Sequence, residues 1–326
     1  MKFSSTLLPL AGLLVQFPFS DAIRTGSKRH IAERQQKSGN PVIDGWYADP
    51  DARIFDNEYW IYPTWSTEYQ NQTFFEAFSS PDLVTWTSRG HILDFKDVPW
   101  STNRAAWAPT VGEKDGTYYL YFSAGDGVGI GVASSDSPSG PFVDVLGKPL
   151  INETLLFGAQ PIDADIFIDD DGRNYLYWGG WNHSVAVELE DDMVSFKSDF
   201  VDITPPNYVE APWMLKRNGT YYLFYSIGGW TDGSYAVQYV TGSSPMGPFS
   251  RDAKTILSSN PAIGTGTGHN SVLNVGDDYY MVYHRHYPNS TNGNERVVCI
   301  DRMYFNEEGE VEPVVITNEG VDARPL

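Results

Sequence analysis

The chain of 326 residues has a single cysteine, Cys299, so no intrachain disulfide contributes to its stability. Cys299 lies inside the apolar run Val297–Ile300, which argues against a thiol nucleophile. Positive charge is also scarce. Twenty-two Lys and Arg stand against 42 Asp and Glu, a net charge of −20. A nucleic-acid partner is excluded on this ground, because phosphate neutralisation needs cations. Long hydrophobic runs are few. The stretch from Leu7 to Phe19 is short and broken by Pro9 and Pro18, so no membrane span is expected. With Lys2 before it and Ser20-Asp21-Ala22 after it, it reads as a signal peptide over residues 1–20. Residues 21–39, which include Lys28-Arg29, read as a disordered leader or a pro-segment cut at the dibasic pair. One domain is expected over residues 40–326. No serine-nucleophile motif is present, and His183, His284 and His286 show no metal-ligand spacing. The strand-like run His284-Arg285-His286 alternates faces and reads as packing and rim.

Aromatic residues (14%) and glycine (30 residues) are plentiful. They recur in a pattern of about 55 residues. Five segments each begin with a short strand, turn on Asp56-Asn57, Asp115-Gly116, Asp171-Gly172, Asn218-Gly219 or Gly276-Asp277, and return as an aromatic-rich strand. The returning strands contain Tyr59-Trp60-Ile61-Tyr62, Tyr118-Tyr119-Leu120-Tyr121, Tyr175-Leu176-Tyr177, Tyr221-Tyr222-Leu223-Phe224 and Tyr279-Tyr280-Met281-Val282. A second recurring element follows, as in Ser79-Ser80-Pro81, Ser134-Ser135-Asp136-Ser137-Pro138 and Ser243-Ser244-Pro245. It reads as the turn before an outer strand. Four strands per repeat and five repeats predict an all-β, five-bladed β-propeller with four antiparallel strands per blade.

In a propeller the first strand of every blade lines the central channel, so its first residues meet at one mouth. Asp49, Trp107, Asp163, Glu210 and His269 hold that place, at spacings of 58, 56, 47 and 59. Three acids so close repel one another, and at least one carboxyl is expected to hold its proton near neutral pH. Trp107 offers a flat face for a sugar ring, and Trp46, Tyr47, Trp213 and Trp230 lie near the same mouth in sequence. Paired carboxylates flanking a glycosidic bond are the minimal glycosidase apparatus. A lectin-like propeller that binds carbohydrate without cleaving it is the other reading, and it needs only the aromatics. Five Asn-X-Ser/Thr sequons, at Asn71, Asn152, Asn182, Asn218 and Asn289, fit a secreted glycoprotein.

Tyr47-Ala48-Asp49-Pro50-Asp51, Trp107-Ala108-Pro109, Ile162-Asp163-Ala164 and Val209-Glu210-Ala211-Pro212 resemble the motifs of glycoside hydrolase family 43, in order, over about residues 40–316. The resemblance implies a five-bladed propeller and inverting hydrolysis of α-L-arabinofuranosides in plant cell-wall arabinan or arabinoxylan, with a β-xyloside or another furanoside as alternatives. It implies that Asp49 is the general base, Glu210 the general acid, and Asp163 the third acid that tunes Glu210, with Asp165 as a rival for that place. It implies a channel histidine, His269, near a possible calcium ion, no required cofactor, and a sugar-contacting arginine at Arg302, with Arg285 and Arg296 as alternatives. An oligosaccharide or polysaccharide substrate and a monomeric enzyme are expected. The loops from Thr64 to Thr73, Asp94 to Asn103 and Gly228 to Gly233 are expected to set exo or endo action.

Overall fold

A computed structural model describes Met1 and residues 36–152 and 154–326. Residues 2–35, which hold most of the segment read as a signal peptide and leader, lie outside the described residues. The described residues from Gln36 to Leu326 form one compact body. Ser38 and Gly39, assigned to the leader by sequence, already belong to it, with their N–H groups donating to the carbonyls of Val321 and Glu319.

Five antiparallel sheets form a five-bladed β-propeller. Their innermost strands are Tyr47–Phe55, Trp107–Lys114, Asp165–Ile168, Glu210–Arg217 and Thr265–Val275, each paired with the next strand in sequence. The turns behave as their residues dictate. Asp56-Asn57, Asp115-Gly116 and Asn218-Gly219 have positive φ at both positions, the geometry that matches strand twist in a two-residue hairpin. Blade five has three named strands, ending with Arg296–Met303. Its outer edge is covered from the other end of the chain: Val42 N–H donates to Val298 O, and the Asn40 amide clasps both backbone groups of Ile300. An otherwise open edge is thereby paired.

Each interface between blades is a separate hydrophobic cluster, and the five clusters close the ring. Trp60, Phe75 and Tyr62 of blade one meet Val111, Leu120 and Phe122 of blade two. Tyr121 and Val132 meet Ile166 and Leu176; Tyr175 and Tyr177 meet Met214 and Leu223. Phe224 and Tyr239 meet Met281 and Tyr283, and Val282 and Ile300 return to Ala52 and Ile61. No single core holds the molecule together, so each blade depends on both neighbours.

The two repeated sequence elements prove to be partners. Tyr62, Tyr121 and Tyr177 occupy the same register position and donate their hydroxyls to Pro138 O, Met193 O and Pro245 O of the next blade's outer turn. All three tyrosines are fully buried, so each hydroxyl needs that acceptor. Blade four has Phe224 there, and its interface is tied by Tyr222 OH donating to Gly309 O instead.

Candidate active site

The site is built by one irregularity that recurs in every blade. Asp49, Ala108, Asp163, Ala211 and His269 all have φ between 45° and 60°, in the left-handed region that non-glycine residues seldom adopt. The register shifts at this point in blades one, two, four and five, as a β-bulge. The bulge turns the side chain of the strained residue, or of the one before it, toward the channel mouth. It also corrects the sequence alignment. Trp107 and Glu210 are equivalent to Ala48 and Gly268, one residue before the strained position, whereas Asp49, Asp163 and His269 stand on it. The five expected residues do meet in one cavity, but from two successive backbone positions.

That cavity measures about 320 Å³ and is lined by Asp49, Trp107, Asp163, Glu210, His269 and Arg296, with Tyr69, Asp126, Gln160, Ile162, Trp181 and Trp230 around them. Arg296 Nη1 lies 2.9 Å from Asp49 Oδ1, and its Nε donates to Ser66 Oγ at 3.0 Å. His269 Nδ1 is 3.3 Å from Asp49 and 3.9 Å from Asp163. Tyr235 OH donates to Glu210 Oε1 at 2.7 Å. The Tyr235 ring stacks on His284 at 5.7 Å, and His284 Nδ1 accepts the Asp49 N–H at 3.2 Å. Tyr235 fits only because residue 268 is glycine, since a Cβ there would fall 2.1 Å from the Tyr235 ring. Trp107 forms an edge-to-face pair with Tyr69 and is anchored through its indole N–H to Gln72.

The electrostatics separate the acids. Burial works to raise the Asp49 carboxyl, but Arg296, then His269 and His284, outweigh it and hold Asp49 well below the usual carboxylate range. Asp163 goes the other way: burial and the charges of Glu210 and Asp49 raise it, against the Ala211 N–H and Arg296. Glu210 is raised by burial and by Asp49, against the Tyr235 hydrogen bond and Arg296. Asp163 and Glu210 therefore titrate as a pair that retains a proton above the ordinary carboxylate range, while Asp49 stays ionised. Burial lowers the His284 imidazole to about 3, so it is neutral.

Several expected placements are corrected. Arg302 sits on the same strand as Arg296 but at its far end, paired with Asp278 at 2.7 Å. The third strand of a blade starts at the mouth, so Arg296, opposite His286, is the channel arginine, and Arg302, opposite Tyr280, is remote. Arg285 is fully buried and bonds Asn318 on the outer side of blade five. Trp46 is 39% exposed and packs edge-to-face on Tyr287, outside the cavity. Trp213, two residues past the bulge, lines a different cavity with Arg53 and Lys216. Tyr47 bonds Glu76 and does not line the cavity. Asp165, the rival acid, is turned into a buried cluster, accepting from Arg53 at 2.8 Å and from Met214 N–H. His284 and Tyr235 were not expected at the site. The signal for His284 was its place at the end of a second strand, which returns to the mouth.

The calcium ion expected near His269 would need oxygen donors, and the side chains around His269 supply only two carboxylates. That ion takes six to eight oxygen ligands, whereas the nearest donors to His269 are Asp49, already paired with Arg296, and Asp163. Among the described residues no group of three or more His, Cys, Asp and Glu is arranged to hold a metal.

Residues 38–311 match the profile of "Glycosyl hydrolases family 43". The chain is 61% identical over 302 residues to the β-D-galactofuranosidase xynD of Aspergillus niger, covering 89% of this chain and 88% of that one. It is 31% identical to an arabinoxylan arabinofuranohydrolase of Bacillus subtilis, covering 92% of this chain and 67% of the relative. Among solved structures, a family 43 arabinoxylan arabinofuranohydrolase from Bacillus subtilis in complex with cellotetraose superposes with a TM-score of 0.76 at 29% identity, covering 89% and 71% of the two chains. An α-L-arabinofuranosidase from Clostridium thermocellum gives 0.72 at 29% identity, covering 85% and 96%. A five-bladed fold, a mouth that gathers three acids, and these likenesses agree: the chain belongs to glycosyl hydrolases family 43.

Proposed function

We propose that this glycosidase removes furanosyl residues from polysaccharide with inversion at the anomeric carbon. The convergence of ionised Asp49 with the proton-retaining pair Asp163 and Glu210 in one cavity carries the reading. Asp49, kept anionic by Arg296, accepts a proton from the attacking water. Glu210 donates its proton to the leaving oxygen as the glycosidic bond breaks. Asp163 keeps that proton on Glu210 until it is needed. Inversion requires base and acid on opposite faces of the sugar, about 6.5–9.5 Å apart, with room for the water. Trp107 supplies the apolar face and Arg296 completes the floor.

Two furanosides share the ring stereochemistry such a site would read. A β-D-galactofuranoside is an α-L-arabinofuranoside whose exocyclic CH₂OH is extended to a two-carbon diol. The 61% likeness to a β-D-galactofuranosidase favours the galactofuranosyl substrate. The arabinofuranohydrolase likenesses, at about half that identity, favour the arabinofuranosyl one as the second reading. Secretion fits the segment over residues 1–20 and the exposure of the asparagine in all five sequons.

Aryl β-D-galactofuranoside, α-L-arabinofuranoside and β-D-xyloside, followed by NMR of the first-formed anomer, test the reading. The expected result is turnover of the furanosides with inversion, abolished in Asp49→Ala and reduced at least a hundredfold in Glu210→Gln. Retained turnover in either variant, a retained anomer, or binding without cleavage overturns it.

A further inference from the structure

The strained residue at each channel mouth is held by the blade before it. In four of five junctions, its backbone N–H is taken by a side chain on the preceding blade's second strand. Ala108 N–H donates to Thr64 Oγ1 at 2.7 Å, Asp163 N–H to Ser123 Oγ at 3.0 Å, His269 N–H to Ser226 Oγ at 2.9 Å, and Asp49 N–H to His284 Nδ1 at 3.2 Å. The acceptors occupy one register position, opposite Ala48, Trp107, Glu210 and Gly268. All four are fully buried. In the remaining junction that place is held by Gly179, which faces Ile162 and has no side chain to offer. There the Ala211 N–H acts on the Asp163 carboxylate itself.

A backbone in the left-handed region persists only where its surroundings over-determine it. Rotation about the backbone at residue 163 swings the carboxylate across the cavity, because Asp163 stands on the strained position itself. Ser123 does not touch the cavity, and neither does Thr64. The two acceptors are chemically alike; what differs is the residue they hold, an acid in one case and Ala108 in the other.

We propose that Ser123 is a positioning residue for Asp163: by holding the Asp163 N–H from the neighbouring blade, it fixes the distance between Asp163 and Glu210. The inference rests on the proposed roles of those two acids. Glu210 is faced by Asp163 from blade three, Asp49 from blade one, Arg296 and His269 from blade five and Tyr235 from its own blade. Asp163 and Glu210 hold their proton as a pair, and an Asp163 carboxyl that drifts from Glu210 weakens that shared hold. The alkaline limb, where activity falls as Glu210 loses its proton, then moves to lower pH.

The test compares Ser123→Ala with Thr64→Ala, and with Ser123→Thr, which restores the hydroxyl in the form blade one already uses. Turnover, KM, pH profile and thermal midpoint are measured on each, with Asp163→Ala alongside. Ser123→Ala is expected to lose at least tenfold in kcat with KM within about threefold, and its alkaline limb to move acidward. Thr64→Ala is expected to lower the thermal midpoint and, through Trp107 beside Ala108, to raise KM while leaving the alkaline limb in place, and Ser123→Thr to recover most of the turnover. Should Ser123→Ala fail to fold, Ser123→Cys, which keeps the shape and weakens the acceptor, carries the same comparison. Equal loss of kcat in the Ser123 and Thr64 variants, or an unmoved alkaline limb in Ser123→Ala, overturns the proposal. Full turnover in Asp163→Ala instead overturns the role of Asp163, and the positioning claim with it.

Discussion

Removing Arg296 should change the acid limb of the pH–rate profile more than any other substitution at the mouth. Arg296 and Asp49 are both at least nine-tenths buried and 2.9 Å apart, so solvent screens their attraction little. With charge centres about 4 Å apart and an effective dielectric near 20, the attraction is about 4 kcal/mol, equivalent to about three pKa units. In Arg296→Met the burial that pushes Asp49 up is opposed only by the imidazoles of His269 and His284. Asp49 must be ionised to act as base, so activity is lost as pH falls through its folded pKa. In the parent enzyme that limb lies below the usual carboxylate range; in the variant it should rise by about two to three pH units. The same depression of Asp49 adds stability above the ordinary carboxylate pKa that is lost as pH falls through the folded value, so the variant is also less stable. Removing one partner of such a buried pair costs about 3–5 kcal/mol, so the assay is run where circular dichroism shows the fold intact. Arg296→Lys keeps the charge and should keep the limb near its original place. The measurement is kcat/KM from pH 3 to 8 (an about-neutral to acidic sweep, chosen around the reference carboxylate values). An acid limb in Arg296→Met within about half a unit of the parent, or one displaced equally in Arg296→Lys, refutes the argument that Arg296 acts through Asp49.

Tyr235→Phe removes the hydroxyl that donates to Glu210, a bond that favours the ionised carboxylate. Glu210 should therefore hold its proton to higher pH, and the alkaline limb of kcat/KM should move up by about one unit; a downward shift refutes the assignment. Tyr177→Phe leaves Pro245 O without its buried donor between blades three and four. It should lower stability by about 1–3 kcal/mol in urea denaturation with kcat unchanged, and a loss of kcat without a loss of stability would contradict a purely interblade role.

The propeller was legible because its signals are local. An Asn-Gly or Asp-Gly turn between aromatic strands needs no knowledge of what lies across the molecule, and five copies at blade spacing leave few alternatives. The acids were legible for the same reason, each lying at the start of a strand. Trp107 and Glu210 were aligned one residue out of step, because a bulge inserts a residue without changing the composition around it. Arg302 was preferred over Arg296 although both lie on one strand, six residues apart. Antiparallel order would have decided it: a blade's third strand leaves the mouth, so its first residues, not its last, face the cavity.

What the sequence determined alone is the set of hairpins, the count of blades and the identity of the three acids, since all follow from short-range spacing and residue type. The tertiary structure decided which arginine neutralises Asp49, that His284 and Tyr235 join the two halves of the site, and that Ser123 and Thr64 hold their neighbours' backbones. These contacts join residues separated by 25 to 247 positions, and all but the Tyr235–Glu210 bond span two blades. Their partners are selected by ring closure and by the bulge at each mouth, and neither leaves a pattern in the local chain.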